Sequence, residues 1–378
     1  MNILPTIIGH ILLAIGGFVA ALVGMLTAHL VVVVAQHTSP ATSIVATATP
    51  ATSSNNTNTA PTAKPIPSPA PSIQPTPTAT TPQPAATLAD TVVTKPIGEV
   101  NSDTRAALVN ILCLTKSGGY LNPLSGSGVI IDSRGVVLTN AHVAQYFLLR
   151  DFPTPDNVDC VVRTGSPATA AYHAKLLYLP PAWVDANAKQ INAQQAMGTG
   201  ENDYGFLLLT SRADNSPLPA TIDSILVATD APTHGEQVLL AAYPAGFLEG
   251  QAILNDLYAA TAVTTIGDIF TFSSDTTHAD LVSAGGTIVT QAGSSGGALV
   301  RASDGALQGI ITTDTAGTTT ASRDLHAITL GHIDRSLAAF GEGGILQLLV
   351  GNINQKADDF NANVAPSLAQ KLEAVFTH

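Results

Sequence analysis

Over residues 98–340 this sequence predicts an all-β domain, a barrel or a sandwich. Two observations carry that expectation. Short apolar runs of strand length recur at 109–115, 128–131, 136–139, 204–210, 237–243, 297–300, 307–313 and 327–330. Glycine and proline turns separate them, and no helix-period stretches alternate with them as a parallel α/β sheet would require. The chain has 378 residues with Gly 31 and Pro 24, enough for one such domain and further segments on either side.

Residues 1–36 are expected to form a transmembrane anchor. From residue 7 to 34 there is no Asp, Glu, Lys or Arg, and a spanning helix needs about 20 apolar residues. A cleaved signal peptide would carry a basic start, a shorter apolar stretch and an Ala-x-Ala-like site, none of which is clear here. Gly16, Ala20, Gly24 and Ala28 recur every fourth residue, a small-residue stripe that permits two helices to pack closely as a dimer. Residues 37–97 follow as a linker rich in Pro, Thr, Ser and Ala, with Lys64, Asp90 and Lys95 its only charges. Such a composition cannot bury enough apolar surface to offset ordering entropy. Extended, it reaches roughly 180 Å at about 3.1 Å per residue.

After the β region, residues 333–340 read as a short helix. The 341–378 extension ends in Leu368, Leu372, Val375 and Phe376, the i, i+4, i+7, i+8 stripe of an amphipathic helix that packs back on the domain. A net charge of -12 and a pI near 5.1 argue against a nucleic-acid surface. Neither a metal nor a cofactor is expected.

Three segments carry chemistry: Thr139-Asn140-Ala141-His142-Val143-Ala144, then Asp203-Tyr204-Gly205-Phe206-Leu207-Leu208, then Gly293-Ser294-Ser295-Gly296-Gly297. They supply a base, a carboxylate and a serine on a glycine-rich turn. A serine hydroxyl is a poor nucleophile at neutral pH, so it needs an imidazole to take its proton and a carboxylate to fix that imidazole's tautomer. Each segment alone has a plainer meaning: a solvated histidine, a turn aspartate, a flexible loop. Their order and local context make the combination informative.

Each segment resembles the matching stretch of the trypsin/chymotrypsin-like serine proteases, whose catalytic residues run His, Asp, Ser. The resemblance covers roughly residues 100–340 and is closer to bacterial Deg-type members, without a following PDZ-like region. It implies two packed six-stranded antiparallel β-barrels with a catalytic cleft between them, a serine endopeptidase acting on protein or peptide substrates. His142, Asp203 and Ser295 would be the triad, and the N–H groups of Gly293 and Ser295 the oxyanion hole. The primary pocket would be lined by Val289 and Thr290 before the nucleophile and by Ile311, Thr312, Thr313 and Asp314 after it. Val289 stands where trypsin-like enzymes place a specificity aspartate, which implies a pocket for small or medium apolar side chains.

The same resemblance implies a disulfide between Cys113 and Cys160 beside the catalytic histidine. An oxidising compartment follows from it, so the domain is expected on the extracytoplasmic side of a single-pass anchor. The chain departs from the digestive members at Ser294, where they carry an aspartate that pairs with a newly cut amino terminus. Activation by cleavage is therefore not implied.

Two alternatives frame the test. The segment Gly293-Ser294-Ser295-Gly296-Gly297 also fits the Gly-x-Ser-x-Gly elbow of α/β-hydrolase esterases. That elbow needs a helix after the serine, whereas residues 298–313 read as a hairpin. The other alternative is a binding protein that keeps the protease fold without its activity.

Overall fold

The structure, a computed structural model, describes residues 94–117, 119–193, 200–314 and 319–377. The expected anchor, its small-residue stripe and the linker up to residue 93 lie outside the described residues. Among the described residues, no helix is long and apolar enough to cross a membrane.

In chain order the elements are α1 (Ile97–Ala107), β1 (Leu108–Thr115), β2 (Leu124–Asp132), β3 (Val136–Thr139), α2 (Ala141–Ala144), β4 (Val158–Thr164), β5 (Thr169–Tyr178), α3 (Pro181–Asn187) and β6 (Gly205–Arg212). The second half follows with β7 (Gln237–Ala242), α4 (Gly250–Asn255), β8 (Ala260–Thr265), β9 (Ile269–Phe270), β10 (Leu281–Ser283), β11 (Ala298–Arg301), β12 (Leu307–Asp314) and β13 (Leu325–Thr329). Four helices close the chain: α5 (Leu330–Ala339), α6 (Ile345–Leu349), α7 (Ile353–Asn363) and α8 (Ala365–Glu373).

The first six strands form a closed antiparallel barrel in the order β1-β2-β3-β6-β5-β4. Closure comes from β1 pairing with β4, where Cys113 faces Cys160 in register and the two are joined by a disulfide. Val109, Ile111, Val129, Val137, Leu138, Phe206 and Leu207 are buried inside or beneath this barrel.

The second half is not the closed six-stranded barrel expected. It is a seven-stranded sheet, β8-β7-β11-β12-β13-β10-β9. Its two outer strands, β8 and β9, are consecutive in the chain, one on β7 and the other on β10. Residues 266–268 bend the chain between them, held by Ile266 N donating to Glu236 O (2.9 Å) and Gly267 N donating to Ser283 O (2.8 Å). One chain segment thus bridges both edges, which count as two strands because the bend interrupts the ladder. Val238, Leu240, Val282, Leu299 and Ile311 fill a core of their own beneath this sheet.

The helix expected at 333–340 starts earlier, at Leu330, where Thr329 caps it by accepting the amide of His332. The terminal amphipathic stripe packs back as expected: Leu368 and Leu372 are buried, and the Phe376 ring sits 5.2 Å from that of Phe152. α8 lies against the 3-10 turn Gln145–Leu149, which continues directly from α2, so the C-terminal extension braces the element that carries His142. Helix α1 was not anticipated. Its buried Val100, Thr104 and Ala107 recur at helical spacing, but two of the three are small or polar and give little periodic signal.

Candidate active site

β3 and β6 pair with Thr139 opposite Gly205. His142 lies three residues beyond the first and Asp203 two before the second, so this register alone brings the two side chains together. Asn140 precedes α2, and its Nδ2 donates to Asp203 O at 2.8 Å and ties the two loops to each other.

The Asp203 carboxylate is almost fully buried and accepts from several donors. Its Oδ1 accepts the His142 backbone N–H at 3.0 Å. His142 Nδ1 lies 2.9 Å from Oδ2 and 3.2 Å from Oδ1. Thr312 Oγ1 donates to Oδ2 at 2.9 Å. With Nδ1–H given to the carboxylate, neutral imidazole keeps its lone pair on Nε2, the nitrogen free to take a proton.

Burial pulls the His142 pKa down, but the Asp203 charge and hydrogen bond outweigh it and hold the imidazole above its ordinary value. Burial likewise pushes Asp203 up. The His142 charge, with hydrogen bonds from His142 and Thr312, overrides this and holds the carboxylate below its ordinary value. The pair therefore favours a charged carboxylate beside an imidazole ready to become imidazolium.

Ser295 sits half-buried on the turn before β11. Its hydroxyl faces Thr312 O at 3.5 Å, and among the described residues it makes no hydrogen bond to His142. The turn depends on glycine at two places. Gly293 has φ +90 and Gly296 φ +84, and a Cβ on Gly296 would lie 2.1 Å from Ser127 O. Four consecutive carbonyls are engaged: Ala292 O by Ala245 N, Gly293 O by Ser127 Oγ, Ser294 O by Gly297 N and Ser295 O by Ser127 N. The N–H groups of Gly293 and Ser295 have no acceptor among the described residues. A trans peptide points its N–H away from its C=O, so anchoring Ala292 O and Ser294 O sets the direction of both free donors.

Ser294 is 1% exposed, and its hydroxyl has no partner among the described residues. The pocket residues fall differently from expectation. Val289 and Ile311 belong to the core under the second sheet. Thr290, fully buried, accepts the Thr287 amide and stabilises the turn before Ser295. Thr312 directs its hydroxyl to Asp203 instead of to a substrate pocket. Thr313 and Asp314 continue β12 as backbone, and their side chains lie outside the description.

The sequence reading puts Thr312 in the pocket and not at the carboxylate, and it leaves Ser127, which touches the turn of Ser295, unmarked. The only available signal for Ser127 was its place in Gly126-Ser127-Gly128, where small residues indicate a close backbone approach. A cavity of about 610 Å³ lies on the first barrel, lined among others by Lys116, Arg150, His173 and Lys175, and none of the three residues His142, Asp203 and Ser295 faces it. Among the described residues no group of His, Cys, Asp and Glu is arranged to hold a metal.

Strand β11, in a hairpin with β12, follows Ser295 where an α/β-hydrolase elbow has a helix, and the esterase alternative falls with it. Residues 126–310 match the family of the trypsin-like peptidase domain. The chain is accordingly a serine-type endopeptidase with a trypsin-like peptidase domain. No curated protein matches its sequence. Among solved structures it is similar to the active form of the Rv3671c protease from M. tuberculosis, at 20% identity and TM-score 0.40 over 70% of this chain and 93% of that one. It is also similar to the HtrA-type protease AlgW with tripeptide, at 19% identity and TM-score 0.40 over 65% of each chain. A third likeness is to Deg5, at 16% identity and TM-score 0.42 over 65% of this chain and 94% of that one. At these scores the likenesses add nothing to what the site's geometry supports.

Proposed function

We propose that this chain is a membrane-anchored endopeptidase working outside the cytoplasm, with His142 as base, Asp203 as its orienting carboxylate and Ser295 as nucleophile. The observation that carries the reading is the Asp203 carboxylate, which holds the Nδ1 face of His142 while Gly293 and Ser295 leave two N–H groups free beside the serine. Substrate binding draws the Ser295 hydroxyl from Thr312 O toward His142 Nε2. Such catalytic hydrogen bonds commonly tighten only in the Michaelis complex.

His142 then removes the Ser295 proton as Oγ attacks the scissile carbonyl, whose oxygen becomes an anion facing the Gly293 and Ser295 N–H groups. The imidazolium gives its proton to the departing amine, leaving an acyl-enzyme that water hydrolyses through the same base. Each oxyanion donor is worth about 10²–10³ in rate.

Membrane attachment rests on the uncharged run 7–34, and the extracytoplasmic side on the Cys113–Cys160 disulfide, a bond that persists in oxidising compartments. The test is fluorophosphonate labelling of the full chain in isolated membranes. An adduct on Ser295, lost in Ser295→Ala, together with peptide turnover and resistance of the chain to alkaline extraction, is the expected result. An unlabelled, folded chain would leave the binding-protein alternative standing.

A further inference from the structure

The nucleophile turn belongs to the second half of the chain, yet a strand of the first barrel holds it. β3 pairs with β2 only from Val129 onward, opposite Leu138. Beyond that point β3 turns away into α2, so at Gly126, Ser127 and Gly128 the edge of β2 opposite β1 has no strand beside it. The 293–296 turn docks on that edge.

Ser127 makes the junction with every polar atom it has. Its N–H donates to Ser295 O at 2.8 Å. Its hydroxyl donates to Gly293 O at 2.8 Å and accepts the Tyr243 N–H at 2.9 Å. Its carbonyl accepts from Thr139 Oγ1 at 2.7 Å. The residue is fully buried, so water cannot replace these partners. Tyr243 precedes Ala245, the residue whose N–H fixes Ala292 O, and the Ser127 hydroxyl therefore ties together both backbone segments that aim the Gly293 N–H. Ser294 supplies no comparable anchor.

We propose that Ser127 is a positioning residue of the oxyanion hole, its hydroxyl holding Gly293 and the Tyr243 segment so that the free N–H groups meet the developing oxyanion. The inference rests on Ser295 being the nucleophile. Alanine at 127 keeps the backbone bond to Ser295 O but leaves Gly293 O and Tyr243 N buried without partners, so the Gly293–Ser294 peptide, which lies between the two that carry the free N–H groups, is held only by Ser294 N donating to Gln291 O.

The experiment uses the full chain as wild type, Ser127→Ala, Ser127→Cys and Ser295→Ala, with active sites counted by fluorophosphonate titration. Two quantities are read per titrated site: kcat and KM on a peptide substrate, and the inhibition constant of a peptidyl trifluoromethyl ketone. That ketone accepts the Ser295 oxygen at its carbonyl carbon, the Ser295 proton passes to His142, and the carbonyl electrons move onto the oxygen facing Gly293. Ser127→Ala should lower kcat about 10–100-fold and weaken the ketone in proportion, with KM within about twofold. Ser127→Cys, a poorer donor of similar shape, should fall between, and it carries the test if the alanine variant does not fold. Unchanged kcat and ketone affinity per titrated site, with only fewer sites or a lower melting temperature, would make Ser127 merely structural and overturn the inference. A wild type that neither labels nor turns over, indistinguishable from Ser295→Ala, would instead overturn the reading of Ser295 itself.

Discussion

Replacing Thr312 by valine removes one hydroxyl and leaves the strand backbone untouched, so it separates two roles that a residue beside Ser295 can have. If the side chain lines a substrate pocket, KM changes; if it steadies Asp203, kcat changes. The structure gives the Thr312 Oγ1 to Asp203 Oδ2 bond a length of 2.9 Å at a residue 5% exposed. A hydrogen bond to a charged acceptor contributes about 1.5–3 kcal/mol. Asp203 keeps the His142 amide and Nδ1 after the substitution, and only the part of the bond that strengthens as His142 becomes cationic enters the rate. Taking roughly half, about 0.8–1.5 kcal/mol, the expected loss in kcat is about 4–13-fold with KM within about twofold. Steady-state kinetics on a peptide substrate, corrected by active-site titration, reads this directly. A raised KM with unchanged kcat would refute the argument and return Thr312 to the pocket.

Activity should rise with pH as His142 loses its proton. Because Asp203 holds the imidazole above its ordinary value, the midpoint should lie above about 6.5. In Asp203→Asn burial acts alone, so the midpoint should fall below that value and kcat by about 10⁴; a midpoint that does not move would dissociate the pair. The stability signs are opposite for the two partners. The contribution of His142 is present below about pH 6.5 and is lost as pH rises through its raised pKa, while that of Asp203 is present above about pH 3.9 and is lost as pH falls through its lowered one. Replacing both Cys113 and Cys160 by alanine opens a link across a sequence separation of 47 and should cost about 4 kcal/mol, read as a lower denaturation midpoint; an unchanged midpoint would show that the reduced chain is already constrained. Ser294→Ala removes a buried hydroxyl that has no partner among the described residues, so it should leave kcat unchanged and stability equal or higher, and a large loss of kcat would reveal a role for that hydroxyl.

Strands β1, β2, β3 and β6 and the His142, Asp203 and Ser295 segments are legible because each is a local pattern, an apolar run of strand length, a turn before a base or glycines around a serine, whereas β5, half-exposed and mixed in polarity, carries no such run. Contacts between distant segments were not. Thr312 reaches Asp203 across a separation of 109 residues and Ser127 reaches Gly293 across 166, and neither residue type declares its partner in sequence. The offset of Val289 before Ser295 suits a pocket wall, yet an apolar residue at a given offset suits a core as well, and packing under β7 and β11 decides between them. The second sheet was read as a six-stranded barrel. A bend at 266–268 that lets one segment serve both edges depends on hydrogen bonds to Glu236 and Ser283, which periodicity does not report.

Two free N–H groups in a buried turn can be held in place by an ion pair or by neutral hydrogen bonds. An aspartate at 294 would have to be stripped of water, at several kcal/mol unless a cation pairs with it, and that need is what makes a freshly cut amino terminus useful in the digestive enzymes. Ser294 has no charge to desolvate and none to pair. Here Ser127 across the junction of the two halves and Ala245 beneath it hold the turn by neutral hydrogen bonds. An endopeptidase organised in this way is expected to be active as made, and a full chain that gains peptide turnover only after a cut near residues 98–110 would refute that. Under the proposed anchoring, control over what it cuts then falls on where the linker lets the domain reach.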